Sequence, residues 1–168
     1  MSNAGLQGWP NRASLSAPYI NIQDQKANNT AGGTFTAGSW QTRTLNTIMV
    51  DTAGLATLAT NQITLPAGWW RCRITAPAYR VGRHQLRLRS ITDALTVLVG
   101  TSAYAGTGTE VVTESTITGR FRLDVRTVLE VQHQGQATSA TLGFGVEAGS
   151  IFTVDREVYA VAEFWKEN

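Results

Sequence analysis

The feature that most constrains this chain is an alternation of apolar and polar side chains with a period of two residues. Within residues 70–76 the even-numbered side chains are Trp, Cys, Ile and Ala, whereas Arg71, Arg73 and Thr75 are polar. Residues 83–89 repeat the pattern, with a histidine and two leucines opposed to three arginines and a glutamine. Because successive side chains of a strand point to opposite faces, both runs predict strands buried on one face only.

Other segments show the same pattern, and none favours a helix. We expect inward-facing side chains at Ile117, Phe121, Leu123 and Val125 in one strand, and at Leu129, Val131 and His133 in the next. Shorter β-branched runs predict strands at 19–23, 45–50, 61–65 and 95–101, and Pro77–Gly82 predicts a turn. No stretch of about ten residues repeats its apolar positions every three to four residues. The sequence therefore predicts an all-β, antiparallel sandwich.

The C-terminal run is apolar on both sides of the predicted strand. One face is expected to carry Val158, Ala160, Ala162 and Phe164, and the other Tyr159, Val161 and Trp165. A strand that is apolar on both faces needs cover on both, and the core of a sandwich covers only one. We therefore predict that a second subunit covers Tyr159, Val161 and Trp165. A loop folded over the sheet is the alternative.

Length and composition indicate one domain and exclude several classes of function. Residues 1–17 are rich in Gly, Ser and Asn and predict a tail or linker, which leaves residues 18–168 as the domain. The net charge of +2 is too small for a general nucleic-acid binder. No run approaches the ~18 apolar residues of a membrane span, so no membrane insertion is expected. Cys72 is the single cysteine, which excludes an intrachain disulfide.

Motifs for chemistry are weak in this sequence. His84 and His133 each fall on the apolar face of a predicted strand without a second ligand at metal-binding spacing, so we expect hydrogen-bonded core histidines. No Gly-x-Ser-x-Gly occurs, and the short glycine repeats at 106–108 and 143–145 do not lie between a strand and a helix. We predict no catalytic residue, no metal site and no cofactor.

The strongest candidates for ligand binding are exposed arginines with a neighbouring tryptophan. They are Trp69, Arg71, Arg73, Arg87 and Arg89, together with Arg83, on the outward faces of two consecutive strands. If these strands lie side by side, their guanidinium groups form a basic ribbon suited to phosphate or carboxylate on a surface glycan. A solvated sheet face with ion pairs is the structural alternative. The loops at 104–109 and 134–138 are further possible contact points.

Several segments, in this order, resemble a known family. They are DQK at 24–26, GGTFTAG at 32–38, Trp40 with TLN at 44–46, NQITLPAG at 61–68, APAYRVGRH at 76–84, LVGTS at 98–102, GFGV at 143–146 and EVY at 157–159. The set is similar to the C-terminal domains of phage and prophage tail-fibre or tail-associated proteins. That group is similar in architecture to complement-type and tumour-necrosis-factor-like heads.

The resemblance implies a jelly roll of about ten strands, assembled as a homotrimer with the first and last strands toward the threefold axis. It carries no shared catalytic motif. The implied function is binding of a host-surface receptor or glycan from a virion, in contact with other virion proteins. A structural virion component such as a trimerisation cap, baseplate piece or head decoration is the alternative, and a glycan-cleaving enzyme is a third hypothesis.

Overall fold

A computed structural model describes residues 17–149 and 151–167 of the chain. This part of the chain consists of strands and loops, and it contains no helix that would reach across a bilayer. The strands are β1 Tyr19–Ala27, β2 Gln41–Thr42, β3 Thr47–Asp51, β4 Thr57–Ala59, β5 Gln62–Leu65, β6 Gly68–Tyr79, β7 Gly82–Ser90, β8 Leu95–Val99, β9 Ala103–Ala105, β10 Val112–Leu123, β11 Thr127–Gly135 and β12 Arg156–Glu167. The tail predicted over residues 1–17 lies, apart from Ala17, outside the described residues.

The strands form two antiparallel sheets packed face to face, as expected for a jelly roll. The five-stranded sheet has the order β10-β6-β12-β1-β3. The seven-stranded sheet has the order β4-β5-β11-β7-β8, with β2 added to β11 and β9 added to β7. The predicted all-β jelly-roll sandwich is confirmed. It has twelve strands rather than about ten, because β2, β4 and β9 are short pieces of two or three residues.

The core lies between the sheets and follows the predicted alternation. Trp70, Cys72, Ile74 and Ala76 of β6 are buried, and so are Leu86 and Leu88 of β7 and Leu129 and Val131 of β11. One inward prediction is wrong: Val125 is 56% exposed. β10 ends at Leu123, so Val125 lies in the turn before β11, where the period of two no longer applies.

The predicted turn at Pro77–Gly82 is shorter than expected, because β6 continues to Tyr79. Pro77 pairs with Glu114 of β10, whereas the pairing of β6 with β12 begins at Thr75 and runs toward the start of β6. Pro77 therefore lies where β6 has one neighbouring strand, and a residue without an N–H is tolerated there. Arg80, at φ 55°, makes the actual turn into β7.

The alternation predicted for β12 is wrong at its first residues because the strand contains a β-bulge. Gln23 of β1 pairs with Val161, and Gln25 pairs with Val158, so the register between the two strands shifts by one residue. Such an insertion moves the following side chains to the other face. Tyr159 consequently lies inside the protomer, 7% exposed, with its hydroxyl donating to the Thr30 carbonyl at 2.7 Å. Val158 takes its place on the outside and is 44% exposed.

The two ends of the sandwich differ. At the lower end β1 begins and β12 ends, since Tyr19 pairs with Trp165. The upper end carries the long loops, and beneath them lies a second small core of Phe35, Ala78, Val81 and Ala105 with Phe144 packed against it. The Phe35 N–H donates to the Ser139 carbonyl and the Ser139 N–H to the Phe35 carbonyl, both at 2.9 Å. The upper loops are thereby held on a packed base.

Candidate functional site

The predicted basic ribbon does not exist, because its two strands belong to different sheets. Trp69, Arg71 and Arg73 lie on β6 in the five-stranded sheet, whereas Arg87 and Arg89 lie on β7 in the seven-stranded sheet. Both hydrogen-bonding edges of β6 are taken by β10 and β12, so β7 pairs with β11, β8 and β9 instead. The arginines therefore face away from each other on opposite sides of the sandwich.

Cross-strand rows of side chains build the outer face of the five-stranded sheet. The lowest row runs Arg122, Trp69, Glu167, and the next row runs Arg120, Arg71, Trp165, Tyr19. Above them, the middle row runs Thr118, Arg73, Glu163, Asn21, Val50, and the upper row runs Thr116, Thr75, Val161, Gln23, Thr47. The upper row holds no charge. The charged and aromatic side chains are concentrated in the three rows nearest the lower end.

Ion pairs and ring contacts hold the two lowest rows together. Glu167 bridges two arginines, with Arg71 Nε 2.9 Å from Oε1 and Arg120 Nε against Oε2. The Arg120 guanidinium lies over the Trp69 ring, 3.9 Å from its centroid. The Tyr19 and Trp165 rings are in tilted contact at 5.3 Å. Trp69 and Arg71 are thus engaged within the protomer, as the structural alternative for the arginines anticipates.

Arg73 and Trp165 border a shallow depression on this face. Its volume is about 470 Å³, and Arg71, Thr118 and Arg120 complete its rim. The side chain of Arg73 makes no hydrogen bond or ion pair within the described chain. Neither a loop nor a strand of residues 17–149 and 151–167 lies over the face, where Val161 and Trp165 stay half-buried. The alternative of a loop folded over this sheet is therefore not seen in the described residues.

A second concave site, the upper cleft, lies on the outer face of the seven-stranded sheet. Its volume is about 600 Å³. Two rows of side chains line it. The upper row is Tyr104 of β9, Arg83 of β7 and Gln136 just after β11, and the lower row is Ser102 just before β9, Gln85 of β7 and Gln134 of β11. The two loops that the sequence offered as contact points, 104–109 and 134–138, both contribute their first residues to this cleft.

Hydrogen bonds hold the polar side chains on one side of the upper cleft. Gln85 Nε2 donates to the Gly100 carbonyl at 3.0 Å, and Arg83 donates through its guanidinium to Gln136 Oε1 at 3.2 Å. The Tyr104 hydroxyl and the Gln134 amide make no hydrogen bond within the described chain. The side chain of Tyr104 is 58% exposed. An aromatic ring and a free amide therefore face solvent beside an arginine.

Beneath the upper cleft lies a buried cluster of His84, His133 and Arg43. His84 Nδ1 and His133 Nε2 share a hydrogen bond of 2.9 Å, and His84 Nε2 is 2.8 Å from Thr113 Oγ1. The prediction of hydrogen-bonded core histidines is confirmed. That the two bond to each other was not predicted, because their side chains meet only once β7 and β11 pair.

Burial and a neighbouring cation keep both histidines neutral. Burial first, and then the charge of Arg43, lowers the pKa of His84 to about 4. The same two causes, with His84 added, lower the pKa of His133 to about 2. Arg43 is fully buried and donates to the carbonyls of Pro77 and Phe144 at 3.3 and 3.1 Å. The described residues contain no group of three or more His, Cys, Asp or Glu that could hold a metal ion.

Of the predicted site residues, only Trp69, Arg71 and Arg73 are brought together with Trp165 and Val161. Arg87 lies over the Trp40 ring, 4.2 Å from its centroid, and donates to Gln132 at 2.9 Å, which places it on the other sheet. The glutamines of the upper cleft were missed as site residues. Polar side chains at every second position of β7 and β11 are the only sequence feature that indicates this site, and the same pattern occurs in any strand with one solvated face.

Comparison with known proteins shows the fold. No protein-family model matches the chain, and no curated protein matches it. The globular domain of zebrafish complement 1qA superimposes with a TM-score of 0.58 at 14% identity, over 90% of this chain and 98% of that one. Eiger TNF from S. frugiperda gives 0.58 at 11%, over 91% and 94%.

Murine APRIL, in a crystal structure at pH 5.0, gives a TM-score of 0.56 at 7% identity over 90% of this chain and 99% of that one. Identities this low carry no information about ligands or partners. Coverage close to the whole of each chain does establish the architecture. The chain has the jelly-roll fold of these complement and TNF domains.

Proposed function

We propose that this chain is a non-enzymatic domain of a phage or prophage tail-fibre-type appendage, which assembles as a homotrimer and binds a receptor or glycan on the host surface. The observation that carries the proposal is the uncovered outer face of the five-stranded sheet. Aromatic and aliphatic side chains of β1 and β12, among them Tyr19, Val158, Val161 and Trp165, lie there, with uncharged polar side chains in the upper row and charged ones in the rows below it. Such a face favours cover by another subunit.

A complementary surface lies on one side of the same protomer. β8 and β10 are neighbouring edge strands of the two sheets, and just after β8 the Thr101 N–H donates to the Thr116 carbonyl of β10 at 2.9 Å. Leu95, Val99 and Val112 are exposed along these edges. An edge that packs on the face of the next copy is a head-to-tail contact, which closes into a ring when the rotation allows. Three copies agree with the sequence resemblance to tail-fibre heads and with the jelly-roll fold.

The assignment to a virion rests on the sequence resemblance. We also propose that the domain catalyses no reaction. A glycan-cleaving enzyme needs two carboxylates across its sugar site. Among the described residues, neither the upper cleft nor the depression beside Arg73 is lined by Asp or Glu. A purely structural role in the virion is the alternative. A structural domain would not adsorb to host cells, whereas a receptor-binding domain would.

The trimer is tested by size-exclusion chromatography with light scattering. Wild type should elute with about three times the 18.2 kDa of one chain. Val161→Arg places a charge in the uncharged upper row and should give a monomer, since desolvating an unpaired guanidinium costs several kcal/mol. Val128→Arg, on the outer face of the seven-stranded sheet, is the matched control and should remain trimeric. A wild-type monomer at micromolar concentration would refute the assembly.

Binding is tested by adsorption of fluorescently labelled wild-type trimer to a panel of bacteria. Saturable adsorption supports the receptor-binding role, and trimer that adsorbs to no strain favours the structural role. Release of reducing sugar from the polysaccharides of the same strains measures catalysis. We expect none above the rate with buffer alone.

A further inference from the structure

We propose that the upper cleft is a binding site for an acidic oligosaccharide, a short sugar chain that carries carboxylate or phosphate groups. The proposal rests on the host-binding function above and names its site and ligand class. Three features carry it: the shape of the cleft, the chemistry of its side chains and the sign of its charge.

The shape suits a short oligosaccharide. A volume of about 600 Å³ lies in the middle of the range of known small-molecule sites. The floor consists of paired strands, because Arg83 pairs with Tyr104 and Gln85 with Gln134. Side chains that rise from a continuous sheet are held in place before a ligand arrives, which reduces the entropy lost on binding.

The side chains offer the contacts that a sugar requires. The exposed Tyr104 ring presents an apolar surface on which a pyranose ring can stack, and its hydroxyl is free to bond the sugar. The Gln134 amide, also without an internal hydrogen bond, supplies two donors and an acceptor. Ser102 and Gln85, bonded to each other at 3.3 Å, close the lower edge.

The charge selects an acidic sugar. Among the described residues that line the cleft, Arg83 is the one cation and none is Asp or Glu. The side chain of Arg83 bonds the neutral amide of Gln136, so most of its five N–H donors remain for a ligand. His84, which also lines the cleft, is neutral at pH 7 and adds no charge of its own. Guanidinium bonds carboxylate or phosphate through two parallel hydrogen bonds, which a neutral hydroxyl cannot match.

The arginines of the outer faces differ in how far their guanidinium groups are available to a ligand. Arg87 is stacked on Trp40 and bonded to Gln132, and Arg71 and Arg120 share Glu167. Arg89 lies on the same strand and face as Arg83 but outside the cleft, with its guanidinium bonded to the Ala94 carbonyl at 2.9 Å. Arg89 is therefore the natural control for Arg83.

The experiment uses the wild-type trimer and the variants Arg83→Gln, Tyr104→Ala and Arg89→Gln. Each is applied to an array of bacterial capsular and O-antigen oligosaccharides in which every uronic-acid sugar is printed beside its carboxyl-reduced, neutral counterpart. Affinity for the hits is measured by calorimetry. All three positions are on the surface, so trimer mass and melting temperature should match wild type, which shows that the fold is intact.

Wild type should bind acidic oligosaccharides and lose at least about tenfold in affinity on carboxyl reduction. Arg83→Gln should lose a similar factor for the acidic form only, Tyr104→Ala should lose about tenfold for both forms, and Arg89→Gln should remain within about twofold of wild type. Equal affinities of wild type, Arg83→Gln and Tyr104→Ala would overturn the proposal. Trimer that adsorbs to bacteria but binds no acidic sugar would overturn it too and leave the proposed function standing. Trimer that neither adsorbs to bacteria nor binds an acidic sugar would refute both the ligand site and the proposed host-binding function.

Discussion

The buried histidine pair makes the fold sensitive to acid, and His133→Gln isolates the effect. In the folded chain the pKa of His133 is lowered to about 2, first by burial and then by the charges of Arg43 and His84. The unfolded chain has an ordinary histidine pKa of about 6.5. Because the unfolded state takes up the proton first, the contribution of His133 to stability is complete above pH 6.5 and is lost as the pH falls below it.

The magnitude follows from the two pKa values. A pH of 4.5 is two units below the pKa of His133 in the unfolded chain, whereas His133 in the folded chain is still neutral at this pH. Protonation of the unfolded chain therefore favours unfolding by about 2.7 kcal/mol. At pH 7.5 the same term is close to zero. His84 adds to the loss with the same sign, but it lies nearer the surface, where solvent reduces the effect. A loss of this size is a large part of the ~5–15 kcal/mol that stabilises a typical domain.

Urea unfolding followed by tryptophan fluorescence at pH 7.5 and 4.5 measures the effect. In the His133→Gln variant the new side-chain amide would reach the position of His133 Nε2 and keep a hydrogen bond to His84 Nδ1, but it does not titrate. Wild type should lose about 2.7 kcal/mol more than His133→Gln between the two pH values. The carboxylates are common to both proteins and cancel in the difference. Stability curves that run parallel over this range would refute the assignment of a buried, neutral His133.

Three further predictions concern the interior. Arg43→Ala leaves the Pro77 and Phe144 carbonyls without their donor and should cost about 3 kcal/mol or more in urea unfolding, whereas the exposed Arg126→Ala should cost no more than about 0.5 kcal/mol. Gly145→Ala should fail to give folded protein by circular dichroism, because Gly145 has φ 142° and a Cβ there would overlap the Tyr159 ring; Gly108→Ala, with open space around it, should fold normally. Burial raises the pKa of the Cys72 thiol to about 12, so Ellman's reagent should label it only after denaturation, and labelling of native protein at pH 8 would contradict its burial.

The local pattern of the sequence determined the strands and which side of each is buried. Trp70, Ile74, Leu86 and Leu88 are in the core as predicted, since alternation is a property of one strand and its solvent. His84 and His133 were placed correctly for the same reason. The prediction was wrong where one residue breaks the period, as at Val125 beyond the end of β10 and at Tyr159 beyond the bulge of β12.

Which strands lie side by side was decided only by the tertiary structure. Arg73 and Arg87 belong to consecutive strands joined by a tight turn, yet they lie on opposite faces of the molecule. The upper cleft likewise combines Tyr104, Arg83 and Gln134 from three separate strands. Pairing depends on hydrogen bonds between remote backbone segments and on the fit of two apolar faces across the core, and no single stretch of sequence encodes either one. The sequence thus defined which side chains face water, and the packing of the two sheets defined which of them meet.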